Sequence, residues 1–204
     1  MDEKSKSNNI SRRNFIGKVG TGVVGSYVAA PLVKKLPKKI AEELKDDDGR
    51  KEVVKLKVNG KNVRALVEPE TTLAELLRDK LKLTGAKVSC NNGECGGCTV
   101  VLDGKAVYSC HMLALDAAGK EVITIEGLMT GEKLHPLQEA FIDEDGMQCG
   151  FCTPGQIMVA YALLVNNPNP TREEIIEGMA GNICRCAAYP NIIKSVQTTA
   201  AKMK

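Results

Sequence analysis

Eight cysteines in a chain of 204 residues fall into two sets of four, Cys90, Cys95, Cys98 and Cys110, then Cys149, Cys152, Cys184 and Cys186. Nothing else restricts the fold as strongly, because each set joins segments far apart in sequence and must close around a common centre. The second set begins in Gln148-Cys149-Gly150-Phe151-Cys152-Thr153-Pro154-Gly155, a C-x2-C pair directly before a helix start. Thr153 suits the N-cap and Pro154 the first helical position, so the apolar run Ile157 to Val165 is expected to continue as a helix. Both sulfurs would then sit at the positive end of that helix, where peptide dipoles favour negative charge by about 0.3–1 kcal/mol. Free N–H groups there can point at thiolates. Two more ligands come from Cys184-Arg185-Cys186, so the intervening chain must fold back to deliver them.

In the first set, Cys90-x4-Cys95-x2-Cys98 has the spacing of plant-type [2Fe–2S] sites. Cys110 follows after eleven intervening residues, on a hairpin that can return it to the loop. Gly93, Gly96 and Gly97 allow backbone to wrap closely around inorganic sulfide and aim N–H groups at it. Structural zinc also takes four thiolates, but its paired C-x2-4-C knuckles fit this spacing poorly. Disulfides are the usual use of an even cysteine count in an exported protein, yet Cys184-x-Cys186 is too close for comfortable bridging.

The N-terminus gives the reason to consider export. Residues 1–33 contain Lys4, Lys6 and Ser11-Arg12-Arg13-Asn14-Phe15-Ile16 before a weakly apolar, Gly-rich stretch. This is the layout of a twin-arginine signal, with Arg12 and Arg13 as its pair. The uncharged stretch Val19 to Val33 is 15 residues long, short of the roughly 20 that a spanning helix needs. A removable signal is the expectation, with anchoring by an uncleaved one as the alternative. Residues 34–51 turn to Lys, Glu and Asp and read as a charged linker.

Residues 52–130 read as a β domain. Val53 to Val58, a turn at Asn59-Gly60 and Asn62 to Val67 make a hairpin. Thr72-x-x-Glu75 is a capping box before a short helix that buries Leu73, Leu76 and Leu77. Thr99 to Leu102, Asp103-Gly104 and Ala106 to Tyr108 form a second hairpin, and Val122 to Ile125 a later strand. Residues 131–204 read as all-α, with helices from Pro136 to about Ile142, from Gly155 to Asn166, after the Thr171-x-x-Glu174 capping box, and from Asn191. The fold class is therefore α+β: a β-grasp, ferredoxin-like domain followed by a four-helix domain, each with one four-cysteine loop system.

The motifs Cys90-Asn91-Asn92-Gly93-Glu94-Cys95-Gly96-Gly97-Cys98, Ser109-Cys110, Gln148 to Gly155, and Gly181-Asn182-Ile183-Cys184-Arg185-Cys186 resemble the small iron–sulfur subunit of the molybdenum hydroxylases, the xanthine dehydrogenase and aldehyde oxidoreductase family. With the export signal, the chain looks most like a periplasmic aldehyde oxidoreductase subunit. The resemblance implies two [2Fe–2S] clusters, one held by Cys90, Cys95, Cys98 and Cys110 and one by Cys149, Cys152, Cys184 and Cys186. It implies a large partner subunit with molybdopterin, a medium subunit with FAD, and passage of the folded complex through the twin-arginine machinery. Electrons would run from the pterin through both clusters to flavin or another acceptor, with the helical-domain cluster beside the pterin. Gln148 and Cys186 match positions that approach the pterin, where an amide or a ligating sulfur can hydrogen-bond it. Aldehyde is the expected substrate, and N-heterocycles such as purine, nicotinate or isoquinoline the alternative. Ala187-Ala188 departs from the Thr-Gly of many relatives, which leaves substrate class open.

The chain has no means of doing this chemistry alone: it lacks a dinucleotide fingerprint, a P-loop and any metal-site pattern besides cysteine, so no catalytic residue is expected in it. With no Trp, three Phe, four Tyr and a net charge of +3, nucleic-acid binding has no support. Two readings of other classes stay open: an iron-free module stapled by zinc or disulfides, and a stand-alone two-cluster ferredoxin. His111 reads as a surface or packing residue and His135 as a helix-start residue. Arg185 reads either as an offset to cluster charge or as one half of a salt bridge. Glu94 and Asp143-Glu144-Asp145 read as solvated charges.

Overall fold

The computed structural model describes residues 50–203. The twin-arginine motif and most of the charged linker lie outside the described residues. Among those described, no helix is long and apolar enough to cross a membrane.

The first elements are the expected hairpin, β1 (Glu52–Val58) and β2 (Lys61–Val67), paired antiparallel from Glu52↔Val67 to Val58↔Lys61. The turn residues Asn59 and Gly60 both have positive φ, 49° and 77°, the type I′ geometry that matches strand twist. Alternation along β1 buries Val54, Leu56 and Val58 and leaves Lys55 and Lys57 exposed. Helix α1 (Leu73–Glu75) starts on its capping box, Thr72 accepting from the Glu75 N–H while Glu75 accepts from the Thr72 N–H. It continues into a π turn (Leu76–Lys80) closed by Leu81 N–H to Leu76 O at 3.0 Å. Leu73, Leu76 and Leu77 are fully buried.

After the cysteine loop come β3 (Thr99–Leu102), β4 (Lys105–Tyr108) and β5 (Glu121–Ile123). The sheet order is β2-β1-β5-β3-β4; β5 runs parallel to β1 and antiparallel to β3. β5 stops at Ile123, two residues short of the expected strand. Thr124 leaves the ladder because its backbone N–H donates to Asn59 Oδ1 and its hydroxyl to Glu126, and a 3-10 turn (Ile125–Gly127) follows.

The helices are α2 (Pro136–Asp143), α3 (Thr153–Asn166), α4 (Arg172–Met179) and α5 (Tyr189–Lys202). α4 begins on the expected Thr171/Glu174 box. Two starts differ from expectation. Cys152, not Thr153, caps α3; its carbonyl already accepts the Gln156 N–H at 3.0 Å, and Thr153 is buried inside the first turn. α5 begins at Tyr189 rather than Asn191, because Pro190 fits the first turn, where no N–H is needed.

β3 is buried along its whole length and its two faces serve different cores. Val100 and Leu102 join Val54, Leu56, Leu73, Leu77 and Val122 beneath α1. Val101 points the other way, into the core of Leu137, Phe141, Met158, Leu164, Ile175 and Ile192, where α3 packs across the sheet. The structure is thus α+β, a mixed ferredoxin-like sheet and a helical part on a shared strand.

Candidate metal centres

Three cysteines of the first set, Cys90, Cys95 and Cys98, lie between the π turn and β3. Arg78 donates to Thr84 O at 2.9 Å and Ala86 O at 2.6 Å, and the Lys87 N–H donates to Gly97 O at 3.0 Å, which holds the approach to the loop against its exit. Asn91, Gly93 and Gly96 have φ of 54°, 79° and 69°, so the chain coils and turns its amides inward. The Asn92 N–H, followed by those of Glu94 and Cys95, points at Cys90, and together they lower its thiol to about 6. Glu94 N lies 3.4 Å from Cys90 Sγ. The Gly93 amide serves Cys110 in the same way. Antiparallel pairing of Thr99 with Tyr108 brings Cys98, just before β3, beside Cys110 in the 3-10 turn Ser109–His111 after β4. The Cys110 N–H reaches Cys98 Sγ at 3.5 Å. Burial, then the Cys98 thiol, pushes the Cys110 thiol up to about 11. His111 is exposed and sits against Gly93, where a Cβ would lie 3.1 Å from its ring.

In the second set Cys149 is exposed, Cys152 and Cys186 are half-buried and Cys184 is buried. The Cys149 thiol meets that of Cys186, and Cys152 meets Cys184. The Phe151 amide points at Cys149 and lowers its pKa, while burial and then the Cys184 thiol push Cys152 up to about 12. The Tyr189 hydroxyl accepts from the Cys184 N–H at 2.8 Å. Ala187 takes a φ of 58°. Gln148 and Arg185 are exposed. Around them Met147, Phe151, Ile183 and Tyr189 are 39–53% exposed. None of the eight cysteines is joined in a disulfide. Among the described residues no three His, Cys, Asp or Glu side chains close round a single ion; the thiols meet in twos, Cys90 with Cys95, Cys98 with Cys110, Cys149 with Cys186 and Cys152 with Cys184.

The two loop systems touch through polar contacts, of which that of Asn182 is buried. The Ile183 N–H donates to Cys95 O at 2.9 Å, the Tyr108 hydroxyl to Gly181 O at 2.9 Å, and Asn182 Nδ2 to Gly96 O at 2.9 Å. Gln156 Nε2, from inside α3, donates to Asn182 O at 2.9 Å. Gln156, Asn182, Tyr108 and Arg78 were not legible as site residues. Arg78 reads as an ordinary helix charge, and the other three have partners tens of residues away.

Two family models cover most of the described chain, a 2Fe-2S iron-sulfur cluster binding domain over residues 56–123 and a [2Fe-2S] binding domain over residues 124–197. The aldehyde oxidoreductase iron-sulfur-binding subunit PaoA of Escherichia coli is 44% identical over 164 residues, covering 73% of this chain and 72% of that one. The nicotine 6-hydroxylase small subunit of Paenarthrobacter nicotinovorans is 47% identical, covering 70% and 86%. The chain belongs to the family of small [2Fe–2S] subunits of the molybdenum hydroxylases. Among solved structures, quinoline 2-oxidoreductase from Pseudomonas putida 86 superposes with a TM-score of 0.72 at 41% identity, over 75% of this chain and 96% of that one. The aldehyde oxidoreductase of Desulfovibrio desulfuricans gives 0.72 at 44% identity, but the match is only 17% of that longer chain.

The geometry fits the family's two [2Fe–2S] centres. Four thiolates per cluster divide between two irons, and each set here already presents two thiol pairs. The lowered thiols of Cys90 and Cys149 and the amides turned toward sulfur suit an anionic centre.

Proposed function

We propose that this subunit carries electrons from a molybdopterin centre in a large partner subunit, through two [2Fe–2S] clusters, to a flavin subunit or another acceptor, during oxidation of an aldehyde to a carboxylic acid. The observation that carries the reading is the pairing of thiols in two loop systems joined by one backbone hydrogen bond, Ile183 N–H to Cys95 O. Cys90, Cys95, Cys98 and Cys110 would hold one cluster, and Cys149, Cys152, Cys184 and Cys186 the other. When bound, each cluster accepts and releases one electron. Oxidation of an aldehyde with water yields a carboxylic acid, two protons and two electrons, so one turnover matches the capacity of the pair.

The chain's own part is to bind, space and insulate. Residues 52–130 serve as a β-grasp domain and residues 131–204 as a four-helix domain, after a signal at 1–33 and a linker at 34–51. The second loop system faces the large subunit, a placement supported by exposed Cys149 and its apolar surround of Met147, Phe151, Ile183 and Tyr189. Gln148 and Cys186 would hydrogen-bond the pterin edge there. Arg12 and Arg13 would export the assembled complex to the periplasm; an assembly lacking both that still crosses the membrane would remove this part.

A second reading, hydroxylation of an N-heterocycle, is favoured by the comparable identity to nicotine 6-hydroxylase and quinoline 2-oxidoreductase. The deciding experiment is metal and sulfide content with low-temperature EPR on natively purified protein, followed by dye-coupled assays with aldehydes and with N-heterocycles. Two irons per cluster, two S = 1/2 signals, co-purifying molybdenum and turnover of an aldehyde are expected. Iron without molybdenum would mark an independent ferredoxin, and zinc or blocked thiols would refute the cluster assignment.

A further inference from the structure

We infer that Asn182 is the positioning residue that locks the two cysteine loops at one separation and orientation, and thereby sets the electronic contact between the clusters. The inference rests on the two-cluster reading above and adds a residue that ligates nothing.

Asn182 is 3% exposed. Its Nδ2 lies 2.9 Å from Gly96 O and 3.3 Å from Thr99 Oγ1. The Thr99 hydroxyl hydrogen is already given to Gly96 O at 2.6 Å, so the Thr99 oxygen can only accept. The pocket therefore presents two acceptors, and an amide NH₂ supplies a hydrogen to each. A carboxylate would set acceptors against acceptors, and an apolar side chain would leave Nδ2's place without a donor. The Asn182 carbonyl accepts from Gln156 Nε2, itself 1% exposed in α3. The residue is thus held by its main chain to the helix and by its side chain to the loop before β3.

The surroundings are shaped for it. Gly96 has a φ of 69°, and a Cβ there would lie 2.5 Å from Asn182 Cγ. A Cβ on Gly155 would run into Gly96 O, and one on Gly181 into the Tyr108 hydroxyl. Three glycines thus give up side-chain space at one junction. Asn182 Oδ1 is buried without a hydrogen-bond partner, a cost to stability that apolar packing would avoid. What the lock maintains is one residue further on. Ile183 N–H meets Cys95 O at 2.9 Å, and Cys184 follows directly, so the path between the backbones of two cluster-binding cysteines crosses one hydrogen bond and one intervening residue. Electron tunnelling weakens steeply with every through-space gap, and slippage of the loops would open one here.

The test compares the parent complex with Asn182→Leu, which keeps the branched skeleton and removes the donors, and with Thr171→Ala, which loosens a helix cap away from the junction. Each is reduced fully and its low-temperature EPR spectrum recorded with iron content. In the parent, two signals that split one another are expected; fewer than two signals overturns the two-cluster reading, and two signals without mutual splitting leave that reading standing and overturn this inference. Given them, Asn182→Leu should keep the parent's iron yet show a smaller splitting and shifted g-values for the first cluster, while Thr171→Ala keeps the parent spectrum. Parent-like splitting and g-values in an iron-replete Asn182→Leu overturn the inference, as does an equal change in Thr171→Ala. Should Asn182→Leu lose iron, Gln156→Met decides. It removes only the donor to the Asn182 carbonyl, and reduced splitting supports the lock while a parent spectrum refutes it.

Discussion

Gly60 and Gly96 have nearly the same backbone, φ of 77° and 69°, but different neighbours. A Cβ on Gly60 meets nothing within 4 Å, so Gly60→Ala should cost only the left-handed strain, about 1–2 kcal/mol, and leave the visible spectrum unchanged. Gly96→Ala adds a collision with Asn182 to the same strain. It should abolish or strongly broaden the first cluster's EPR signal, while the second keeps its iron. The sequence marked Gly96 as a residue that lets backbone approach sulfide. The structure adds a second reason, a neighbour 86 residues away. No local pattern encodes that distance, which is why the sequence places Asn182 in the Gly181 to Cys186 motif without a role of its own, although the cysteines beside it stand out by spacing.

The helix starts divide in the same way. Thr72-x-x-Glu75 and Thr171-x-x-Glu174 were legible because a capping box is a local exchange of hydrogen bonds, complete within four residues. Thr171→Ala should lower stability by about 1 kcal/mol, read as a shift in the denaturation midpoint without change in cofactor content. The start of α3 was misread by one position, since the cysteine loop, not the Thr153 hydroxyl, sets where the helix begins. His135 was legible as a helix-start residue but not as a cap. Its Nδ1 accepts the Leu137 N–H at 3.2 Å while the Gln138 side chain accepts the His135 N–H, and its ring meets Tyr161 edge-on at 5.5 Å. Burial lowers its pKa from 6.5, with Glu139 opposing. The cap needs Nδ1 unprotonated. Because the folded pKa lies below the unfolded one, this stability is complete above about 6.5 and is lost as pH falls through the lowered value. Melting temperatures from pH 7.5 to 5 should therefore fall more steeply in the parent than in His135→Asn, which caps without titrating; parallel slopes would contradict the assignment.

At the scale of the whole molecule, the order of strands and helices could be read from turns, caps and periodicity, and the sheet followed. What could not be read was the traffic between the parts, because short apolar runs such as Thr99–Leu102 do not declare how many cores they serve. If the loops are tied by their metal, stripping iron with a chelator under reducing conditions should speed amide exchange at residues 90–98 and 184–186 first, while β1 and β2 stay protected. Uniform loss of protection would instead mean that the clusters hold the entire fold.

β3 makes a further demand on that fold. Residues 56–123 and 124–197 match separate families, which invites cutting the chain between them. Yet Val101 and Ile123 belong to the helical core. A fragment ending at residue 123 would expose both, at about 1.5–3 kcal/mol for a fully buried side chain such as Val101, on a surface ready to aggregate. The two halves are inherited as a pair: a change to one face of β3 is tested by selection against both cores at once, so the strand constrains how independently the modules can evolve.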